Sequence, residues 1–218
     1  PVFVGGTGLY IDSFISNTKF LDGASSDEIR ADLQKELAEK GIDELYRELT
    51  RVDPGAASNI HPNNTKRVLR ALEVYRATGI TITQQAEKSH MEKSDIEPLY
   101  IGITYSDRDK LYDRIDRRVD LMLRAGLLDE AKRLYESNFS ATAVASIGCK
   151  EMKPYLDGEK SLQECTDKLK QSTRHYAKRQ LTWFRRNEKI NWVYPDLYNE
   201  NELYNQIDSL INNFLEGE

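Results

Sequence analysis

Leu99-Tyr100-Ile101-Gly102-Ile103-Thr104-Tyr105, followed at once by Ser106-Asp107-Arg108-Asp109, decides the fold. The first run is rich in β-branched and aromatic side chains and reads as the clearest strand of the chain. Ser106 with Asp109 three residues on has the form of a capping box, Asp standing in the Glu role; it opens a helix to Ala125 that stops at Gly126. Strand into helix is the repeating unit of a parallel sheet. The same grammar occurs at the start of the chain: Val2-Phe3-Val4 reads as a short core strand, Gly5-Gly6-Thr7-Gly8 as a turn, and Leu9 to Ile15 as a helix. Ile190-Asn191-Trp192-Val193-Tyr194 is a final strand, and Asn199 to Leu215 a closing helix. The expected class is α/β with a parallel-sheet core.

Between the first two strands the pattern is helical. Ser26 caps a helix with Ile29, Leu33 and Leu37 on one face and Gly41 as its stop. Asp43 caps the next, with Leu45 and Leu49 inside, ending before Pro54. His61-Pro62-Asn63-Asn64-Thr65 is turn chemistry leading into a helix from Lys66 to Ala77 closed by Gly79. Thr83 to Lys93 is polar, a loop or a weak helix. A helical insertion domain over 25–94 follows, within a core made of 1–24 and 95–218. Further on, Leu128 to Glu136 is a helix, Asn138 to Gly148 a mobile loop, Lys150 to Tyr155 a short helix and Ser161 to Asn187 a long one. A buried parallel strand seldom opens a chain, so residues upstream of Pro1 are expected.

The totals exclude several classes. The chain has 218 residues, room for one large domain or two small ones. No apolar run approaches membrane length and no signal peptide is present. Cys149 and Cys165 make no disulfide framework and read as small buried residues, which points to a reducing, cytoplasmic setting. His61, His90 and His175 stand apart from one another and from the cysteines, so no metal site is predicted. No Ser/His/Asp or Cys/His nucleophile constellation occurs; His61 serves its turn rather than catalysis.

Net charge is -5, yet Lys178-Arg179-Gln180-Leu181-Thr182-Trp183-Phe184-Arg185-Arg186 carries no acid at all. A cationic helix on an acidic chain is a patch for a polyanion, against the alternative of a solvated charged face. At helical spacing Arg174, Lys178 and Arg185 share a side, with Arg179 and Arg186 beside them, while Tyr176, Leu181 and Phe184 can face a core. Lys66, Arg67 and Arg70, with Arg76 further on, form a weaker second cluster, offset nearby by Glu73. The Gly5-Gly6-Thr7-Gly8 turn lets backbone approach an anion at a helix N-terminus, though a structural tight turn fits as well; it is not a Walker A loop. Arg114 and Arg118, one turn apart, suit a diphosphate; the alternative is ion pairing with Asp113, Asp116 and Asp120 of the same helix.

Three motifs converge in order: Val4-Gly5-Gly6-Thr7-Gly8-Leu9-Tyr10, then Ile60-His61-Pro62-Asn63-Asn64-Thr65-Lys66-Arg67-Val68-Leu69-Arg70-Ala71-Leu72-Glu73, then Tyr176-Ala177-Lys178-Arg179-Gln180-Leu181-Thr182-Trp183-Phe184-Arg185. Together they closely resemble the bacterial tRNA dimethylallyltransferase family, over nearly the whole chain. The resemblance implies a nucleotide-binding, P-loop-type α/β core with a helical insertion domain. It implies transfer of a dimethylallyl group from dimethylallyl diphosphate to N6 of adenosine 37 in the anticodon stem-loop of tRNA, with Mg2+, by a monomer. By match to the motifs, Thr7 contacts the reacting site, shaped by Gly5, Gly6 and Gly8. Arg114 or Arg118 meets the leaving diphosphate. Arg30, then Lys66, Arg67 and Arg70, then Ser146, Gly148 and Lys150, then Lys178, Arg179, Gln180, Thr182, Trp183 and Arg185 contact tRNA. Trp183 or Phe184 stacks on RNA bases, burial being an equal alternative for Phe184. Cys149 stands where the family usually has Tyr. The family's N-terminal phosphate loop (Gly-x-x-x-x-Gly-Lys-Ser) and the Asp that follows it are absent, so the chain reads as a fragment lacking the N-terminal part of that core. An RNA-binding fragment without activity and an isopentenyltransferase on free adenine nucleotides are the competing readings.

Overall fold

The structure, a computed structural model, describes residues 1–18, 26–91, 94–137 and 139–217. These fall into two compact units, one of Pro1–Gly5 and Leu9–Pro98, the other of Gly6–Gly8 and Leu99–Glu218. The architecture is mostly helical with one small parallel sheet.

The first unit is helical. It contains α1 (Gly8–Ile15, from Leu9 on), α2 (Asp27–Lys40), α3 (Ile42–Val52), α4 (Pro54–Asn59), α5 (Thr65–Thr78) and α6 (Ile82–Met91). Its core joins Leu33 of α2, Leu45 and Leu49 of α3, Ala56 and Ala57 of α4, and Val68, Ala71 and Leu72 of α5. The punctuation follows local chemistry. Ser26 accepts the N–H of Ile29, Asn64 accepts that of Arg67, and Gly79 closes α5 at φ 70°, a conformation that only glycine adopts without strain. His61 serves its turn as expected, its Nδ1 accepting the Asn63 N–H at 3.1 Å.

Two ionic nodes tie these helices. Arg76 of α5 bonds Glu36 of α2 at 2.6 Å and Glu48 of α3 at 2.7 Å. The Arg76 hydrogen bond, helped by Lys40, holds the Glu36 carboxyl down at about 2. Asp53 caps α4 through Ala56 N–H and receives the Thr83 hydroxyl at 2.6 Å, pinning α6. Burial pushes the Asp53 pKa up, but the donors from Thr83 and Ala56 outweigh it and leave it below the usual range.

The second unit holds the sheet. β1 (Tyr100–Ile103) pairs in parallel with β2 (Ile190–Val193), Tyr100 opposite Ile190 and Ile103 opposite Val193. Gly102 is required by its neighbour, since a Cβ there would lie 2.8 Å from the Trp192 ring. Around the sheet come α7 (Arg108–Arg124), α8 (Leu127–Glu136), α9 (Ala141–Val144), α10 (Cys149–Leu156), α11 (Leu162–Phe184) and α12 (Glu200–Glu216). The second core joins Val119, Leu127, Ala131, Cys149, Met152, Cys165 and Leu169. Cys149 and Cys165 are both buried and unbridged.

Four local expectations are corrected. Val2-Phe3-Val4 forms no strand: among the described residues the only ladder is β1 with β2, and Phe3 instead packs on Phe14 of α1 with ring centroids 4.3 Å apart. The cap of α7 is Asp107, one residue later than expected, because the Ser106 hydroxyl donates to Asp196. Gly41, not Asp43, precedes α3, and Asp43 sits inside its first turn. The helix with Leu45 and Leu49 does end before Pro54, as expected, and Pro54 itself starts α4, since proline at the first helical position lacks only an N–H with no partner to lose. The expected loop over 138–148 contains α9. Asn138, the residues at 19–25, and Lys93 with residue 92 lie outside the described residues.

Candidate functional site

The glycine turn and the cationic helix expected from the sequence meet in the second unit. Gln180 of α11 donates its side-chain amide to the Gly6 carbonyl at 2.8 Å. A Cβ at Gly6 would lie 1.8 Å from that amide nitrogen, and one at Gly8 would lie 2.0 Å from Trp183 Cδ1. Neither glycine has a positive φ; Gly8 is demanded by close approach to the Trp183 ring and not by backbone conformation, whereas the neighbour of Gly6 is the end of the flexible Gln180 side chain. Gly8 is buried and begins α1, whereas Thr7 is exposed between them. Gly5 has nothing within reach of an added Cβ.

The outer face of α11 carries Lys178, Arg179, Thr182 and Arg185, all exposed, with Arg186 just beyond the helix. Among the described residues none of the four cations makes an ion pair with a carboxylate. Arg186 lies over the Trp183 ring at 4.1 Å and Arg179 near Tyr176 at 5.6 Å. Thr182 donates its hydroxyl to the Lys178 carbonyl at 2.9 Å. Tyr176, Leu181 and Phe184 are half-buried. Arg174 is a correction: it bonds Asp116 of α7 at 2.9 Å and stacks by Tyr112, so it belongs to the helix–helix seam rather than to the open patch.

The same seam decides the standing of Arg114 and Arg118. Asp116 and Asp120 of α7 pair outward, with Arg174 and Lys170 of α11 at 2.9 and 2.7 Å. The expected alternative of pairing within α7 therefore fails. Arg114 and Arg118 are exposed and make no ion pair among the described residues; Arg114 lies 5.9 Å from the Tyr105 ring.

The carboxyl ends of β1 and β2 are joined by a residue that sequence reading missed. Asp196 accepts from Ser106 N–H at 2.8 Å, the Ser106 hydroxyl at 2.6 Å and Asp107 N–H at 3.3 Å, with Lys110 Nζ at 3.6 Å. Burial would raise its pKa, but these donors win and hold it at about 2. No local signal could have found a partner ninety positions away. Outside the sheet, Gly148 (φ 107°) opens α10, its N–H held by Glu151 at 3.0 Å. Lys150 is exposed beside Glu151, and Ser146 carries the carbonyl that receives the Lys150 N–H at 3.2 Å. Cys149 is buried in the second core.

In the first unit, Lys66 and Arg67 are exposed at the N-terminus of α5 and make no ion pair among the described residues. Arg30 and Arg70 converge on one buried carboxylate: Glu73 receives Arg30 at 2.8 Å and Arg70 at 3.0 Å. Burial pushes the Glu73 pKa up, yet Arg70 and Arg30 together bring it below the usual range. Among the described residues no cluster of three His, Cys, Asp or Glu could hold a metal ion, and the Asp196 carboxylate has its oxygens occupied by Ser106, Asp107 and Lys110. No helix among them is long and apolar enough to cross a membrane.

A parallel sheet, a glycine turn lodged on a helix and cations left over along that helix give a surface of positive potential beside the turn. Residues 1–187 match the model of the IPP transferase family, and the chain belongs to that family. It is 46% identical to a tRNA dimethylallyltransferase of Acetivibrio thermocellus over 204 residues, 93% of this chain and 65% of that protein. It is 45% identical to one of Bacillus subtilis over 197 residues, 88% and 61% respectively. The full-length tRNA isopentenylpyrophosphate transferase of Bacillus halodurans is similar in structure, with a TM-score of 0.58 and 39% identity over 97% of this chain and 64% of that one. A eukaryotic dimethylallyltransferase studied acting on tRNA gives a TM-score of 0.74 at 27% identity, over 98% of this chain and 56% of its own. The chain thus spans less than two thirds of the length of the first curated relatives it matches.

Proposed function

We propose that this chain forms the larger part of a tRNA dimethylallyltransferase, which moves a dimethylallyl group from dimethylallyl diphosphate to N6 of adenosine 37 in the anticodon loop. The observation that carries the reading is the seating of Gly6-Thr7-Gly8 on the same helix whose outer face presents Lys178, Arg179 and Arg185 without acidic partners among the described residues. The exocyclic amine of adenine is a poor nucleophile because its lone pair is delocalised into the ring. Rate must come from positioning and from stabilising the departing diphosphate. The adenine leaves its stack to react. In this reading α11 grips the backbone of the stem-loop, the Gly6–Gly8 backbone with Thr7 lies at the reacting centre, and Arg114 and Arg118 meet the diphosphate. Lys66 and Arg67, with Arg30 and Arg70 fixed on Glu73, grip RNA from the first unit.

The reading extends to a P-loop-type core of 1–24 and 95–218, a helical insertion of 25–94, an Mg2+ requirement, and a monomer at work in the cytoplasm, where tRNA is available. Lys178, Arg179, Arg185 and Arg186, without ion pairs among the described residues, favour a polyanionic acceptor over a free adenine nucleotide. The test is a chimera in which the parts of the Acetivibrio thermocellus relative that this chain does not span are supplied. It should prenylate an anticodon hairpin and prefer it to AMP in competition. In that chimera Thr7→Ala should lower turnover more than RNA affinity. Tight RNA binding with no consumption of dimethylallyl diphosphate would overturn the enzyme reading.

A further inference from the structure

The inner face of the RNA-gripping helix is built as carefully as the outer one. On α11, Gln180 and Trp183 project opposite to Lys178, Thr182 and Arg185, given 100° per residue. Both reach the glycine turn. Gln180 Nε2 donates to the Gly6 carbonyl at 2.8 Å, and the Trp183 ring occupies the space that a Cβ on Gly8 would need. The Gly6 carbonyl and the Thr7 N–H belong to one planar peptide unit. An amide that fixes the first therefore fixes the direction of the second. A bond from a half-buried side chain to a backbone carbonyl 174 positions away in sequence sets the orientation of the peptide before Thr7, independently of anything local to the turn.

We propose that Gln180 and Trp183 are positioning residues: they transmit the seating of RNA on the cationic face of α11 to the Gly6-Thr7-Gly8 turn. This deepens the proposed function and rests on it, because it reassigns two residues expected at the RNA surface to the opposite side of the helix. The physical basis is that α11 is one continuous helix of 23 residues. A small shift or rotation imposed on its outer face by a bound phosphate backbone moves Gln180 and Trp183 with it. The two glycines leave no side chain to absorb the movement, so the Thr7 peptide follows. Replacing Gln180 would then separate RNA affinity from the state of the turn, which a simple RNA contact cannot do.

The experiment uses the chain itself, labelled with nitrogen-15 and titrated with an anticodon stem-loop RNA hairpin. In the wild type the amide signals of Gly6, Thr7 and Gly8 should move as the hairpin binds. In Gln180→Met, which keeps length but cannot donate, affinity should stay within about twofold of wild type while most of the response at the turn disappears. Gln180→Lys, which can still donate to a carbonyl, should recover part of it. A companion pair guards against misfolding. Gly6→Ala alone should disturb the turn, because its Cβ meets the Gln180 amide. Gly6→Ala with Gln180→Ala should restore an ordered turn that no longer responds to RNA. Turn amides that respond alike in wild type and Gln180→Met would overturn the coupling. So would a loss of affinity in Gln180→Met as large as that caused by reversing Arg179 and Arg185. Failure of the wild type to bind the hairpin at all would overturn the RNA reading and the coupling with it.

Discussion

The two units treat their cations differently. In the first, Arg76 lies between Glu36 and Glu48, and Arg30 and Arg70 meet on Glu73. There the guanidiniums hold helices together, and Lys66 and Arg67 are left facing solvent. In the second, Asp116 and Asp120 of α7 turn away from the arginines of their own helix to pair with Arg174 and Lys170 near the middle of α11. Among the described residues the cations from Lys178 to Arg185 at the end of that helix, and the arginines of α7, remain without carboxylates. A count of charges along the sequence would rank the regions by number alone. The structure ranks them by what remains after internal pairing, and a ligand meets only that remainder.

The largest expected effect tests the remainder directly. Arg179→Glu with Arg185→Glu should weaken hairpin binding about a hundredfold at low salt and lower the salt slope by about two, with the melting temperature unchanged. Unchanged affinity and slope, read from fluorescence anisotropy across a salt series, would erase the contrast between the units. Arg76→Ala should do the reverse. It leaves two partly buried carboxylates facing one another, costing about 2–3 kcal/mol of stability in urea titrations, with little change in RNA affinity.

The pH dependence of the first unit sharpens this further. Glu36 is held at about 2 in the folded state against an ordinary 4.5. The unfolded chain therefore binds more protons between those values, and stability rises with pH there. The contribution is fully present above about 4.5 and is lost as pH falls towards 2. With allowance for water around a partly exposed pair it amounts to about 1–2 kcal/mol. The acid limb of a melting-temperature profile should flatten in Arg76→Ala; a limb of unchanged steepness would mean the node is idle. The smallest effect is expected from Lys66→Gln with Arg67→Gln, about a tenfold loss of RNA affinity and a slope lower by about two. A loss equal to that of the α11 pair would make the two patches equivalent.

Much of the fold was legible because its signals are local. Ser26, Asn64 and Gly79 mark helix ends through hydrogen bonds to backbone a few residues away, and the run at Tyr100–Ile103 is a strand on composition alone. The strand expected at Val2–Val4 failed because a strand is completed by a neighbour, and short apolar runs do not name one. The cap of α7 moved by one residue because Asp196, far off in sequence, claims Ser106. At the site, the sequence delivered the glycine turn and the cationic helix as separate motifs. Their contact through Gln180, and the retirement of Arg174 into the α7 seam, depend on packing that no spacing rule encodes.

The Asp196 clasp has a practical corollary for shortening the chain. α12 begins four residues after Asp196 and has no buried residue of its own. A protease cutting between Tyr198 and Asn199 would release that helix with the clasp intact. A cut between Tyr194 and Pro195 would strip the donors of Ser106 and Asp107 of their acceptor, and the opening turn of α7 would fray together with the base from which Arg114 extends.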